Sequence, residues 1–144
     1  MRTNDPETGI ILVDHGSRLA EANAMLEEVA RVYREQTGAR IVEPAHMELA
    51  APSIGDAFDR CVAQGARHVV VLLFFLSPGR HSMRDIPRVT AEASAAHPGV
   101  TYAVSQPIGI DPRLIEVLAT RVAETIAGSA QVDGMDAPPS PDGS

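Results

Sequence analysis

Three residues spread over the chain are of the types that bind and transform a divalent metal: His15, Glu48 and His81. Imidazole suits divalent iron, cobalt, nickel and zinc, and a carboxylate nearby adds a ligand or accepts protons. By residue type alone the set is a weak signal. No HExxH segment is present, and the single cysteine, Cys61, excludes a CxxC site and any intrachain disulfide. His81 taken alone reads equally well as a polar loop residue. What joins the three is context, because each follows a predicted strand and precedes a predicted helix. In open α/β sheets the ligand crevice lies beyond the carboxyl ends of the strands, so side chains delivered there stand where chemistry is done.

The elements that must position them can be read in turn. Residues 69–76, VVVLLFFL, form an unbroken apolar run of strand length, closed by Pro78-Gly79, and read as a central parallel strand. Arg80 and His81 come directly after it. Residues 9–14, GIILVD, are a second β-branched run, ending at His15-Gly16-Ser17-Arg18, where Gly16 permits a sharp turn and Ser17 can cap the following helix. Residues 41–48, IVEPAHME, form a strand in which Pro44 removes a ladder donor and so points to an edge position. Ser53 and Asp56 make a capping-box start for a helix running to Gly65, with Cys61 an inert buried thiol on its apolar face. After His81 a helix is expected from Ser82 or Asp85, so that Pro87 falls in its first turn. Residues 100–105 form a fourth strand. Asp111-Pro112 opens a last helix that turns Leu114, Leu118, Val122 and Ile126 inward and ends at Gly128.

Strand and helix thus alternate four times over 144 residues, which predicts a single three-layer α/β domain over residues 1–128 with a four-stranded parallel sheet. In the order 2-1-3-4, strands one and three are neighbours about 4.8 Å apart, so His15 and His81 can converge on one small ion, with Glu48 on the same edge. Residues 129–144, rich in Pro, Gly, Ser and Asp, read as a disordered tail. A net charge of −7 argues against a nucleic-acid partner. No apolar run is long enough to span a membrane, and residues 1–9 resemble neither a signal nor a transit peptide, so a cytoplasmic location is expected.

DHGSR at residues 14–18, VEPAHMELAAPSI at 42–54 and FFLSPGRHSMRDIP at 74–87 resemble the signature segments of the small sirohydrochlorin chelatases. These are the class II chelatases of siroheme and cobalamin synthesis. The spacing agrees with the family's His, Glu, His order: 48 − 15 = 33 and 81 − 48 = 33. The resemblance covers the chain to about Gly109 and is strongest to the plant-type ferrochelatases, which insert Fe²⁺. Those proteins carry a cysteine-bearing C-terminal extension for an iron–sulfur cluster; the tail here has no cysteine, so no cluster is expected.

The resemblance implies insertion of a divalent metal into sirohydrochlorin, with no cofactor beyond the metal substrate itself. His15, Glu48 and His81 are then the catalytic residues, the two histidines holding the metal or taking pyrrole protons and Glu48 serving as base. No GxxxxGK[ST] or GxGxxG segment is present, consistent with insertion without ATP. Sirohydrochlorin is rich in carboxylates, so cationic donors should flank the ligands: Arg18, Arg80, Arg84 and Arg88 lie beside the two histidine segments. Substrate contact is assigned to Ser17 through its neighbouring amides, to Arg18, to Arg80 and to His46. Arg84 and Arg88 read better as surface helix charges. The resemblance also implies a homodimer, because larger class II chelatases hold two such units in one chain. A cobaltochelatase of cobalamin synthesis and a non-catalytic metal or tetrapyrrole carrier remain as alternatives.

Overall fold

The computed structural model describes residues 5–77 and 79–132. Four short apolar runs form the strands β1 (Thr8–Asp14), β2 (Ile41–His46), β3 (His68–Leu73) and β4 (Thr101–Val104). Between and after them run the helices α1 (Ala20–Thr37), α2 (Ile54–Ala63), α3 (Arg80–Ala95) and α4 (Pro112–Val132). The strands pair in parallel in the order β2-β1-β3-β4, as expected, and Pro44 lies in β2, an edge strand that can spare a donor.

Two apolar layers enclose β1. On one face Ile11, Val13, Val69 and Val71 pack with Ile54, Phe58 and Cys61 of α2 and Ile86 of α3. On the other, Ile10, Leu12 and Val42 pack with Leu26 and Ala30 of α1. This is the three-layer arrangement. With β1 held on both faces and by a strand on each edge, its carboxyl end is a rigid platform.

The helix starts differ from the sequence expectation at two places that matter. Helix α1 begins at Ala20 with Leu19 at the N-cap, and no side chain caps it, so Ser17 is free for the loop before it. Helix α3 begins at Arg80, ahead of Ser82 and Asp85, and therefore holds Pro87 in its interior. The physical reason is tertiary. Ser82, Ile86 and Thr90, four residues apart, are 2%, 0% and 0% exposed, so one helical stripe from Ser82 onward is buried while Pro87 faces solvent.

The described residues divide into two compact units, one ending at Gly109 and the other beginning at Ile110. The second contains α4, opened by Asp111, whose Oδ1 accepts the Arg113 N–H at 2.9 Å. In α4 Leu118, Val122 and Ile126 are exposed, so the stripe expected to face inward marks an apolar helix face and nothing more. The helix runs through Gly128 to Val132 without a break, and residues 133–144 of the expected tail lie outside the described residues.

Candidate functional site

The backbone pairing of the sheet continues past the strand ends and builds the site. The Met47 N–H donates to the Asp14 carbonyl at 2.9 Å, the Glu48 N–H to the His15 carbonyl at 3.2 Å, and the Phe74 N–H to the Val13 carbonyl at 2.8 Å. His15 and Glu48, both exposed, are therefore tied through their main chains. Gly16 makes the junction possible: its φ is +88°, and an ideal Cβ there would lie 1.8 Å from the Glu48 carbonyl oxygen. Leu49 on the other side of Glu48 has φ +70°, a conformation rarely adopted by a side-chain-bearing residue and one that clusters at functional sites.

Beneath the junction lies a polar pair. The Asp14 Oδ1 accepts the Gly16 N–H at 3.0 Å and contacts His46 Nδ1 at 2.6 Å. An ionised carboxylate only accepts, so His46 Nδ1 is the donor. His46 is 1% exposed. In this arrangement its ring is a buried strut against Asp14, beneath the junction. The expectation placed His46 and Glu48 on one sheet face by their two-residue spacing, but β2 ends at His46 and the chain bends away, so strand alternation no longer applies.

Two further groups steady the His15 turn. The imidazole of His15 stacks on Phe75, ring centroids 4.5 Å apart and planes 25° off parallel, and Phe75 is itself buried. From α1, Asn23 accepts the Ser17 N–H at 3.0 Å through Oδ1 and donates from Nδ2 to the Ser17 carbonyl at 2.7 Å. The Ser17 hydroxyl accepts the Leu19 N–H at 3.0 Å. Asp14, Asn23 and Phe75 were not among the residues expected from the sequence. Asp14 lay within the DHGSR segment and Phe75 within an apolar run, whereas nothing in the sequence singled out Asn23.

The other expected residues are placed as follows. Ser17 and Arg18 lie on the turn after His15, with Arg18 exposed. Arg80 opens α3 and lines a hollow of about 670 Å³ with Gly79, Met83 and Arg84. His81 is the second residue of α3, just beyond the end of β3, and its side chain lies outside the described part of the structure. Among the described residues, no three His, Cys, Asp or Glu side chains are grouped to hold a metal ion. Cys61 plays no part: burial pushes its thiol up to about 12, and a protonated thiol is neither a good ligand nor a good nucleophile.

Comparison with known proteins places this geometry in context. The CbiX family matches residues 9–125. The chloroplastic sirohydrochlorin ferrochelatase of Arabidopsis thaliana is 52% identical over 119 residues, covering 83% of this chain and 53% of that protein. The sirohydrochlorin cobaltochelatase of Sulfurisphaera tokodaii is 31% identical over 123 residues, 85% of this chain and 98% of that one. The crystal structure of the sirohydrochlorin chelatase SirB from Bacillus subtilis subspecies spizizenii, in complex with cobalt, superposes with a TM-score of 0.76 at 30% identity. That match covers 82% of this chain and 50% of the other, so the chain spans about half the length of the plant and Bacillus relatives. No described helix is long and apolar enough to cross a membrane.

Proposed function

The chain belongs to the CbiX family, and from that premise we propose that it is a sirohydrochlorin chelatase, inserting Fe²⁺ by preference and without ATP, in siroheme synthesis. The observation that carries the reading is the junction of His15 and Glu48 at the carboxyl ends of adjacent strands. Iron is favoured over cobalt because the plant ferrochelatase shares 52% of aligned residues, against 34% and 31% for cobaltochelatases from Priestia megaterium and Sulfurisphaera tokodaii.

Insertion joins a divalent metal to the four ring nitrogens and releases two pyrrole protons, with no change of oxidation state. Under this reading His15 and His81 hold the incoming metal while it sheds water, and the exposed carboxylate of Glu48 takes the protons and passes them to solvent. Phe75 fixes the plane of the His15 ring, while Gly16, Asp14 and His46 fix the turn that carries it. Ser17, Arg18 and Arg80 meet substrate carboxylates, the guanidinium groups in charge-assisted pairs. No resident cofactor takes part. The chain works in the cytoplasm as a homodimer, two copies together doing what the larger class II chelatases do in one chain.

The deciding experiment is an anaerobic absorbance assay with sirohydrochlorin, offering Fe²⁺ and Co²⁺ separately to the wild type and to His15→Ala, Glu48→Ala and His81→Ala. Rapid metallation, faster with Fe²⁺ and lost in all three variants, is expected. A wild-type rate no greater than the uncatalysed one overturns the reading, and a Co²⁺ rate above that for Fe²⁺ reverses the metal assignment. A monomeric mass by light scattering, with full activity, removes the dimer.

A further inference from the structure

Acidic residues outnumber basic ones 19 to 12 in this chain, and arginines on α1, α3 and α4 pair with carboxylates within a turn. Arg31 pairs with Glu28 and Glu35, Arg88 with Glu92 at 3.0 Å, Arg113 with Asp111 at 2.9 Å and Arg121 with Glu124 at 2.9 Å. At the start of α3 this pattern fails. Arg80 and Arg84 have no ion-pair partner among the described residues, and the first turn contains no acidic residue.

Their placement is also unfavourable for the helix. Positions i and i+4 lie on one face, so the two guanidinium groups repel each other, and both sit near the helix N-terminus, where the macrodipole disfavours cations. Local rules broken without local compensation are a mark of function. The compensation available is an anion. Both arginines line the hollow of about 670 Å³, and Met83, 43% exposed, lies between them in sequence and on the same hollow. Two planar bidentate donors around an apolar side chain match an apolar ring edged with carboxylates.

Resting on the chelatase reading above, we infer that Arg80 and Arg84 form a clamp for the peripheral carboxylates of the tetrapyrrole. Arg84, which read from the sequence as a surface charge, is then a specificity-determining residue that selects substrates by their carboxylate content. Arg88, one turn further on and engaged with Asp85 and Glu92, lies outside the clamp.

The test is an equilibrium titration of the full chain with metal-free sirohydrochlorin, and with uroporphyrin and the less carboxylated coproporphyrin as probes, in the wild type, Arg84→Gln and Arg88→Gln. Thermal unfolding of each ligand-free protein is measured alongside. Arg84→Gln should bind sirohydrochlorin about tenfold more weakly, the loss of one charge-assisted pair. It should also narrow the preference for uroporphyrin over coproporphyrin and unfold at the wild-type temperature or above it, since its removal relieves repulsion. A residue that only supported the fold would lower that temperature. Arg88→Gln should bind as the wild type does. Unchanged affinity in Arg84→Gln, with a wild type that still metallates, overturns this inference alone, as does an equal loss in Arg88→Gln. A wild type that binds no carboxylated tetrapyrrole overturns the chelatase reading and the clamp with it.

Discussion

At the amino end of β1, an ideal Cβ on Gly9 would lie 2.9 Å from the Cys61 Cβ and 3.1 Å from the Ala66 Cβ; at the carboxyl end, one on Gly16 would lie 1.8 Å from the Glu48 carbonyl oxygen. The two glycines permit close approach for different ends. The side-chain atoms nearest an added Cβ at Gly9 belong to Cys61 and Ala66, and the contact seats α2 against the sheet. Around Gly16 the neighbours are the main chain of Glu48, the exposed His15 and the half-buried Asp14 paired with the buried His46. One end of the strand holds the core closed, and the other holds two reactive side chains at a fixed separation. Stability and chemistry should therefore respond separately to changes at the two ends.

Gly16→Ala tests that separation most severely. A side chain there meets backbone, which cannot swing aside, and must also accept a positive φ. The turn must move, and a shift of about 1 Å in a reacting group costs on the order of 100-fold in rate. We expect a metallation rate about 100-fold lower with the circular dichroism of a folded protein. A rate within about threefold of wild type would mean that the junction does not position the site. His46→Ala should come next. It leaves Asp14 short of a donor at a cost of about 1–3 kcal/mol, and the rate should fall, with His46→Asn restoring part of it by offering a donor again. If His46→Ala lowers the unfolding temperature but leaves the rate untouched, the pair belongs with the core. Gly9→Ala is the mirror case. Overpacking against Cys61 and Ala66 should destabilise by about 1–3 kcal/mol in denaturant, with an unchanged rate well below the unfolding temperature.

Much of this was legible in the sequence, and the reasons differ by residue. The parallel four-stranded sheet followed from short apolar runs alternating with helical segments, and Pro44 marked its own strand as an edge. The placement of His15 and Glu48 at strand ends needed only those runs. The Asp14–His46 pair was hidden because it depends on register: the two residues face each other across β1 and β2, a fact about pairing that neither segment contains. Phe75 was hidden by its surroundings, one apolar residue among eight. The start of α3 was misjudged because the proline rule is local, whereas burial of Ser82, Ile86 and Thr90 against the rest of the fold is not.

The smallest expected effect lies at the Gly9 end and concerns Cys61. Desolvation, reinforced by the charge of Glu43, raises its thiol to about 12 from an ordinary 9.0. A folded-state value above the unfolded one contributes stability that is complete below about pH 9 and is lost as pH rises towards 12, because the unfolded chain gives up its proton first. By pH 10 the loss is about 1 kcal/mol. This chain suits the measurement, since all 12 of its basic side chains are arginine and none is lysine, which leaves few other groups to titrate in that window. Unfolding free energies measured from pH 8 to pH 10.5 should fall for the wild type and fall less for Cys61→Ala, whatever the latter's starting value. Parallel curves would mean that the thiol meets water more freely than its buried position against Gly9 allows. The metallation rate of the folded protein over the same range should be indifferent to which residue stands at 61, because nothing at that end of β1 touches the junction of His15 and Glu48.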